Sequence, residues 1–282
     1  MKKLFAAFDF KSQSDRSVPL EIALRNESIL SGRWTFDVRL GKKTLAPVSK
    51  WTKICEHTEK GCDYIEMELH LDGDYRLQRS LLVNHKDNVL LLTDTVLAEA
   101  VLAEGGRNRK ALLSYHANFT VSPTLRAKTD TEATEILFRS HGRTGKPVFR
   151  ALPLALPEWK AVNNAGMVSG THTASEDTLT LRQETTGKSL FVPLLLDLDA
   201  QRLSKRYTWR QLTVGENMQQ MNEDQAVGYR IQLGESQFLL YRSLTPLASR
   251  TVLGHNLVDD FCFARFDPET GVEPLIAIEV AG

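Results

Sequence analysis

The apolar residues of this chain recur every second position, and that period limits what it can fold into. In "RWTFDVRLG" (Arg33 to Gly41), Trp34, Phe36, Val38 and Leu40 alternate with polar partners. In "DYIEMELHLDG" (Asp63 to Gly73), Ile65, Met67, Leu69 and Leu71 alternate with Glu66, Glu68 and His70. Side chains on a strand point to opposite faces in turn, so each segment reads as a strand with one buried face. Similar runs continue to "DFCFARF" and "PLIAIEV", separated by turn signals such as "LDGD", "NHKDN", "TTGK" and "DPETG". Many short strands between such turns predict an all-β chain, a large two-layer antiparallel β-sandwich.

Helical candidates are few. "TDTVLAEAVLAEGG" favours helix and ends in a Gly105-Gly106 stop, though it also reads as a long strand entering a turn. "DAQRLSKR" has room for one helical turn. No low-complexity linker divides the chain, so a single domain over 1–282 is expected. The proline-bearing "ALPLALPEWK" (Ala151 to Lys160) reads as a crossover between sheets.

"YRLQRSLLVNHKDNVLLLTDTV" (Tyr75 to Val96) fixes a register. If His85 to Asn88 form a four-residue loop, Val83 faces Leu90, Leu81 faces Leu92 and Leu77 faces Val96. Arg79 then faces Asp94 on the same apolar face. A charge buried there needs a hydrogen-bonded partner, so an Arg79–Asp94 cross-strand ion pair is expected.

Composition excludes several functions. Lys plus Arg and Asp plus Glu are both 35 among 282 residues, so the formal charge is zero. A general nucleic-acid binder draws its affinity from a basic surface and is not expected. No apolar run approaches the ~20 residues of a membrane helix. "MKKLFAAFDFKSQSD" offers a shorter apolar stretch than a secretion signal requires. A cytoplasmic chain is expected, or a secreted one only within a larger precursor. Three cysteines without CxxC spacing, and seven histidines without a ligand cluster, argue against bound metal. A Cys55–Cys62 bridge across a hairpin and three reduced thiols are both open. No cofactor motif appears: "GRTGKP" (Gly142 to Pro147) lacks the spacing of a phosphate loop and reads as a tight turn.

Three features carry candidate chemistry. In "YHANF", His116 and Asn118 share one strand face and Tyr115 lies on the other; the first two suit a carboxylate or a sugar hydroxyl. "LGHNLVDDF" gathers His255, Asn256, Asp259 and Asp260 in one loop. Trp209-Arg210, Tyr229-Arg230 and Tyr241-Arg242 repeat an aromatic–arginine pair, with Arg250 and Arg265 nearby. Outward arginines would line a positive strip suited to carboxylate or sulfate, which guanidinium binds in two-pronged fashion. The alternative is arginines solvated or salt-bridged. The candidate ligand-binding set is Arg210, Arg230, Arg242, Arg250 and His255.

The "YRLQRSLLV…NVLLLTDTV" block and the later hairpins ending "RTVLGHNLVDDFCFARF…VEPLIAIE" resemble the C-terminal β-sandwich module of heparinase II/III-like polysaccharide lyases. They also look like sequences of planctomycete-type bacterial proteins. The resemblance implies a large β-sandwich and a link to acidic polysaccharide. In that family most of the active site lies on a helical toroid, which this sequence lacks, so no catalytic residue carries over. The expected function is a non-catalytic carbohydrate-binding or assembly module, accessory to acidic polysaccharide degradation. The alternatives are a carbohydrate-active enzyme (a lyase or a mutarotase-like epimerase, with Tyr115 and His116 as the residues to examine) and a structural oligomerisation protein.

Overall fold

The computed structural model describes residues 4–8, 16–99, 111–142, 145–161, 167–267, 269 and 271–279. Among these there is no helix, and every strand pairing is antiparallel. A seven-stranded sheet runs in the order β1 (Leu4–Phe8), β2 (Ser17–Leu24), β3 (Glu27–Leu40), β9 (Leu113–Val121), β14 (Thr178–Thr185) and β13 (Val168–Ala174), with β4 (Lys43–Thr44) beside β3. An eight-stranded sheet runs β10 (Leu125–Thr129), β11 (Ile136–Ser140), β12 (Pro147–Pro153), β15 (Leu190–Asp197), β8 (Val89–Ala98), β7 (Tyr75–Asn84), β6 (Cys62–Leu71) and β5 (Thr52–Glu59). These two sheets form the β-sandwich.

Two smaller sheets continue the stack. Five strands run β16 (Tyr207–Leu212), β19 (Ala226–Leu233), β20 (Ser236–Ser243), β23 (Phe261–Asp267) and β24 (Gly271–Ile278). Four short ones run β18 (Gln219–Gln220), β17 (Val214–Glu216), β21 (Arg250–Val252) and β22 (His255–Leu257). The five-stranded sheet covers the far face of the eight-stranded one: Tyr64 packs on Phe261 at 4.8 Å and Phe191 on Tyr229 at 6.3 Å. The four-stranded sheet then covers Leu239, Tyr241, Cys262 and Ala264. A strand between two layers has no solvent face, which is why every residue of β15 is buried while β9 alternates.

Residues His85 to Asn88 form the loop between β7 and β8, with Asn84 opposite Val89 and Arg79 opposite Asp94. Asn84 closes the loop by donating to Asp87 Oδ2 at 2.6 Å and accepting from the Asp87 amide at 3.0 Å. Arg79 and Asp94 are fully buried between the two large sheets. Arg79 Nε and Nη2 donate to the two Asp94 oxygens at 2.8 and 2.6 Å, and Nη1 donates to the Trp34 carbonyl at 2.9 Å. The guanidinium lies 4.0 Å from the Trp34 ring, and the Tyr115 hydroxyl also donates to Asp94. Burial pushes the Asp94 carboxyl upward, against the downward pull of Arg79 and Tyr115.

Several local expectations are corrected. Thr93 to Ala98 belong to β8, where hydrogen bonding to β7 and β15 outweighs helix propensity; Glu99 N then donates to the Asp74 carbonyl at 2.8 Å, and residues 100–106 lie outside the described residues. So do most of the N-terminal residues judged too short in apolar length for a secretion signal, and the centre of "GRTGKP". "DAQRLSKR" makes a turn closed by Arg202 N donating to Asp199 O at 2.8 Å. The crossover begins at Leu154, because Ala151 to Pro153 still pair with β15. Cys55 lies opposite Glu66, and Cys62 opposite Glu59, so the hairpin does not bring the thiols together; all three cysteines are free. His255 to Leu257 form a strand instead of a ligand loop.

His172, on β13, points into the core with Nδ1 3.3 Å from the Thr134 carbonyl. Burial pushes its pKa down to about 4 from an ordinary 6.5. The ring is neutral in the folded chain, whereas the unfolded chain takes up a proton below the ordinary value. Its contribution is complete above pH ~6.5 and is lost as pH falls toward ~4, about 3 kcal/mol in all. Urea midpoints measured across this window should fall more steeply for the native chain than for His172→Gln. Equal slopes would show that the native ring is already charged.

Candidate functional site

Where β12 ends, the chain turns and runs beside β16, the edge strand of the five-stranded sheet. Trp209 Nε1 donates to the Leu156 carbonyl at 2.8 Å, and Leu156 N donates to the Pro153 carbonyl at 2.9 Å. Thr134 holds the next two residues, its hydroxyl donating to Pro157 O at 2.7 Å and its amide to Glu158 O at 2.9 Å. Lys160 N donates to Glu132 O at 2.7 Å. The segment is pinned residue by residue, which prepares its side chains before any ligand arrives.

The result is a groove. Leu156, Pro157 and Trp209 supply apolar lining, and Glu158, Trp159, Arg210 and Gln211 supply the polar and aromatic groups. Trp159 is 51% exposed although it is a large apolar side chain. Arg210 is exposed and, among the described residues, its guanidinium has neither an ion pair nor a hydrogen bond. Glu158 Oε2 accepts from Thr208 Oγ1 at 2.6 Å. Behind the groove, the Tyr207 ring covers Arg150 at 3.7 Å, and its hydroxyl donates to Glu135. Burial first, and then Glu135, push the Tyr207 pKa up, so this hydroxyl stays protonated near neutrality.

Arg210 stands directly opposite Arg230 of β19, on the same face. Arg230 Nε and Nη2 donate to Gln237 Oε1 at 3.0 and 2.6 Å, and its guanidinium lies 5.0 Å from the Phe266 ring. Like charges directly opposed on adjacent strands repel. Among the described residues neither arginine has a carboxylate partner, so an arriving anion relieves the pair.

The other arginines of the expected strip lie elsewhere. Arg242 is buried between the eight- and five-stranded sheets, donating to Glu66 at 2.7 Å and to Gln78. Arg250 is buried too, donating to Glu216 at 2.8 Å and Thr245 at 2.6 Å. The continuous strip is therefore corrected: β20 lies between two covering sheets, so both Tyr241 and Arg242 are inside. His255, on β22, is half-buried beside Gly271 and apart from Arg210 and Arg230 in the sheet order. Tyr115 and His116 do not converge, being on opposite faces of β9; Tyr115 is fully buried, and burial followed by Asp94 raises its pKa well above the ordinary range. Glu158 and Trp159 were not singled out in the sequence. The available signal was a tryptophan between charged residues in a proline-bearing connection. Among the described residues, no group of three or more His, Cys, Asp or Glu is placed to hold a metal ion.

No family model matches this sequence, and no curated protein matches it. Solved structures do. The fold resembles heparan sulfate lyase modules. Heparan sulfate lyase HepC from Pedobacter heparinus aligns with TM-score 0.52 at 11% identity, over 88% of this chain and 43% of that one. A mutant of the same lyase aligns with TM-score 0.51 at 13% identity, over 80% and 36%. A heparinase III, the BT4657 gene product, gives TM-score 0.48 at 10% identity, over 86% and 42%. The chain thus spans less than half the length of each, and what is shared is the fold.

Proposed function

We propose that this chain binds acidic polysaccharide without cleaving it, as a module accessory to the degradation of such polymers. The observation that carries the reading is the exposed Trp159 beside the unpaired Arg210 in a prepared groove. An indole face suits a sugar ring, and a free guanidinium suits the carboxylate or sulfate it bears. Arg230, held by Gln237 beside Arg210, adds a second positive charge. The lyase-like fold supports the choice of ligand class only by analogy. The separation of Tyr115 from His116 supports a non-catalytic role.

The test is binding to a panel of uronate-containing and sulfated polysaccharides at low and moderate salt, with ultraviolet absorbance followed in the same samples. Binding that weakens as salt rises, with constant absorbance, is the expected result, because exposed charges are screened. Growth of the unsaturated-uronate absorbance would replace binding with β-elimination. No binding at either salt would remove polysaccharide as the ligand.

A further inference from the structure

At the opposite end of the stack, the seven-stranded sheet turns a polar outer face to solvent. Three strands at its centre align Asp37 of β3, His116 of β9 and Arg182 of β14 in one cross-strand row. Asp37 is occupied by Arg39 at 2.6 Å and Arg16 at 3.7 Å. Arg182 is exposed and has no partner among the described residues. Next to His116 on the same strand face, Asn118 Oδ1 accepts from Thr180 Oγ1 at 2.8 Å. His116 Nε2 touches neither solvent nor any hydrogen-bond partner. A buried polar atom without a partner costs free energy until something satisfies it. An unpaired cation and an unsatisfied imidazole nitrogen therefore stand side by side.

We propose that Arg182 and His116 form a second binding site, for a carboxylate on an acidic glycan lying across β3, β9 and β14. One carboxylate oxygen accepts from Arg182. The other accepts from His116 Nε2 once the ring turns that nitrogen out of its buried position and takes up a proton, so binding, ring rotation and protonation are coupled. The adjoining row of Thr35, Asn118, Thr180 and Thr173 supplies hydroxyl and amide groups and nothing apolar, which favours a hydroxyl-rich polymer over an apolar protein face. In the free chain, burial first and then Arg182 hold the His116 pKa below its ordinary value, with Arg39 in the same sense and Asp37 opposing. Glu184 shares the Arg182 strand face, and Arg16 approaches through Asp37. An added carboxylate offsets Arg182 and draws the proton on.

The inference is independent of the groove, and the experiment keeps it so. In the full chain carrying Trp159→Ala and Arg210→Gln, the titration of the His116 ring is followed by nuclear magnetic resonance with and without trigalacturonate. The midpoint is expected to rise by about one pH unit with the probe. Arg182→Ala should abolish the rise. An unchanged midpoint at saturating probe, or a rise that survives Arg182→Ala, overturns the site. An equal rise with polyglutamate would overturn the glycan assignment in favour of protein carboxylates.

Discussion

Arg79→Ala should lower stability by about 3–5 kcal/mol, a shift readable as a large drop in urea midpoint. Among the described residues, the substitution leaves the wholly buried Asp94 carboxylate with the Tyr115 hydroxyl as its side-chain partner, and removes the hydrogen bond to the Trp34 carbonyl as well. It also opens a void against the Trp34 ring. The double replacement Arg79→Leu with Asp94→Leu should recover most of the loss, because no charge is then stranded. Two outcomes would sink this account. A single-mutant loss under about 0.5 kcal/mol would mean that the pair is not buried as described. A double mutant no better than the single would place the cost in packing alone.

Trp159→Ala should weaken polysaccharide binding on the order of tenfold or more, since tryptophan anchors at contact surfaces commonly cost over 1 kcal/mol when truncated. Arg210→Gln should weaken it too and flatten its salt dependence. Neither change should move the melting temperature much, because Trp159 is half-exposed and Arg210 makes no contact that holds the fold. Titration calorimetry at two salt concentrations separates the effects. Unchanged affinity in both variants would remove the groove from the binding surface.

The readable part of this fold is the part with a wet side. β3 and β9 alternate in sequence and in burial, and the register of β7 on β8 follows from matching apolar positions; β6 departs from its alternation, with Glu66 buried and Ile65 half-buried. What alternation cannot reveal is whether the second face of a strand meets water or another sheet. Gln78, Ser80, Thr93 and Thr95 look like surface residues, yet all are buried beneath the five-stranded sheet. The same ambiguity put Arg242 on an outer strip when it lies inside, paired with Glu66 176 positions away in sequence. Only Arg210 and Arg230, near the uncovered edge, remained together. Trp159 escaped notice because its role depends on β16 running beside a connection, a neighbour no local pattern names.

The layered arrangement also governs how the chain tolerates shortening. Phe191 and Leu195 point from the eight-stranded sheet toward β19 and its neighbours, and Tyr64 rests on Phe261. A polypeptide stopped before β16 would keep both large sheets, yet it would present one whole side of the middle sheet bare, apolar and sticky. Such a fragment should precipitate or recruit a covering surface from elsewhere. The carboxy-terminal sheets are thus the lid that keeps the sandwich soluble, and the groove is cut along the rim of that lid.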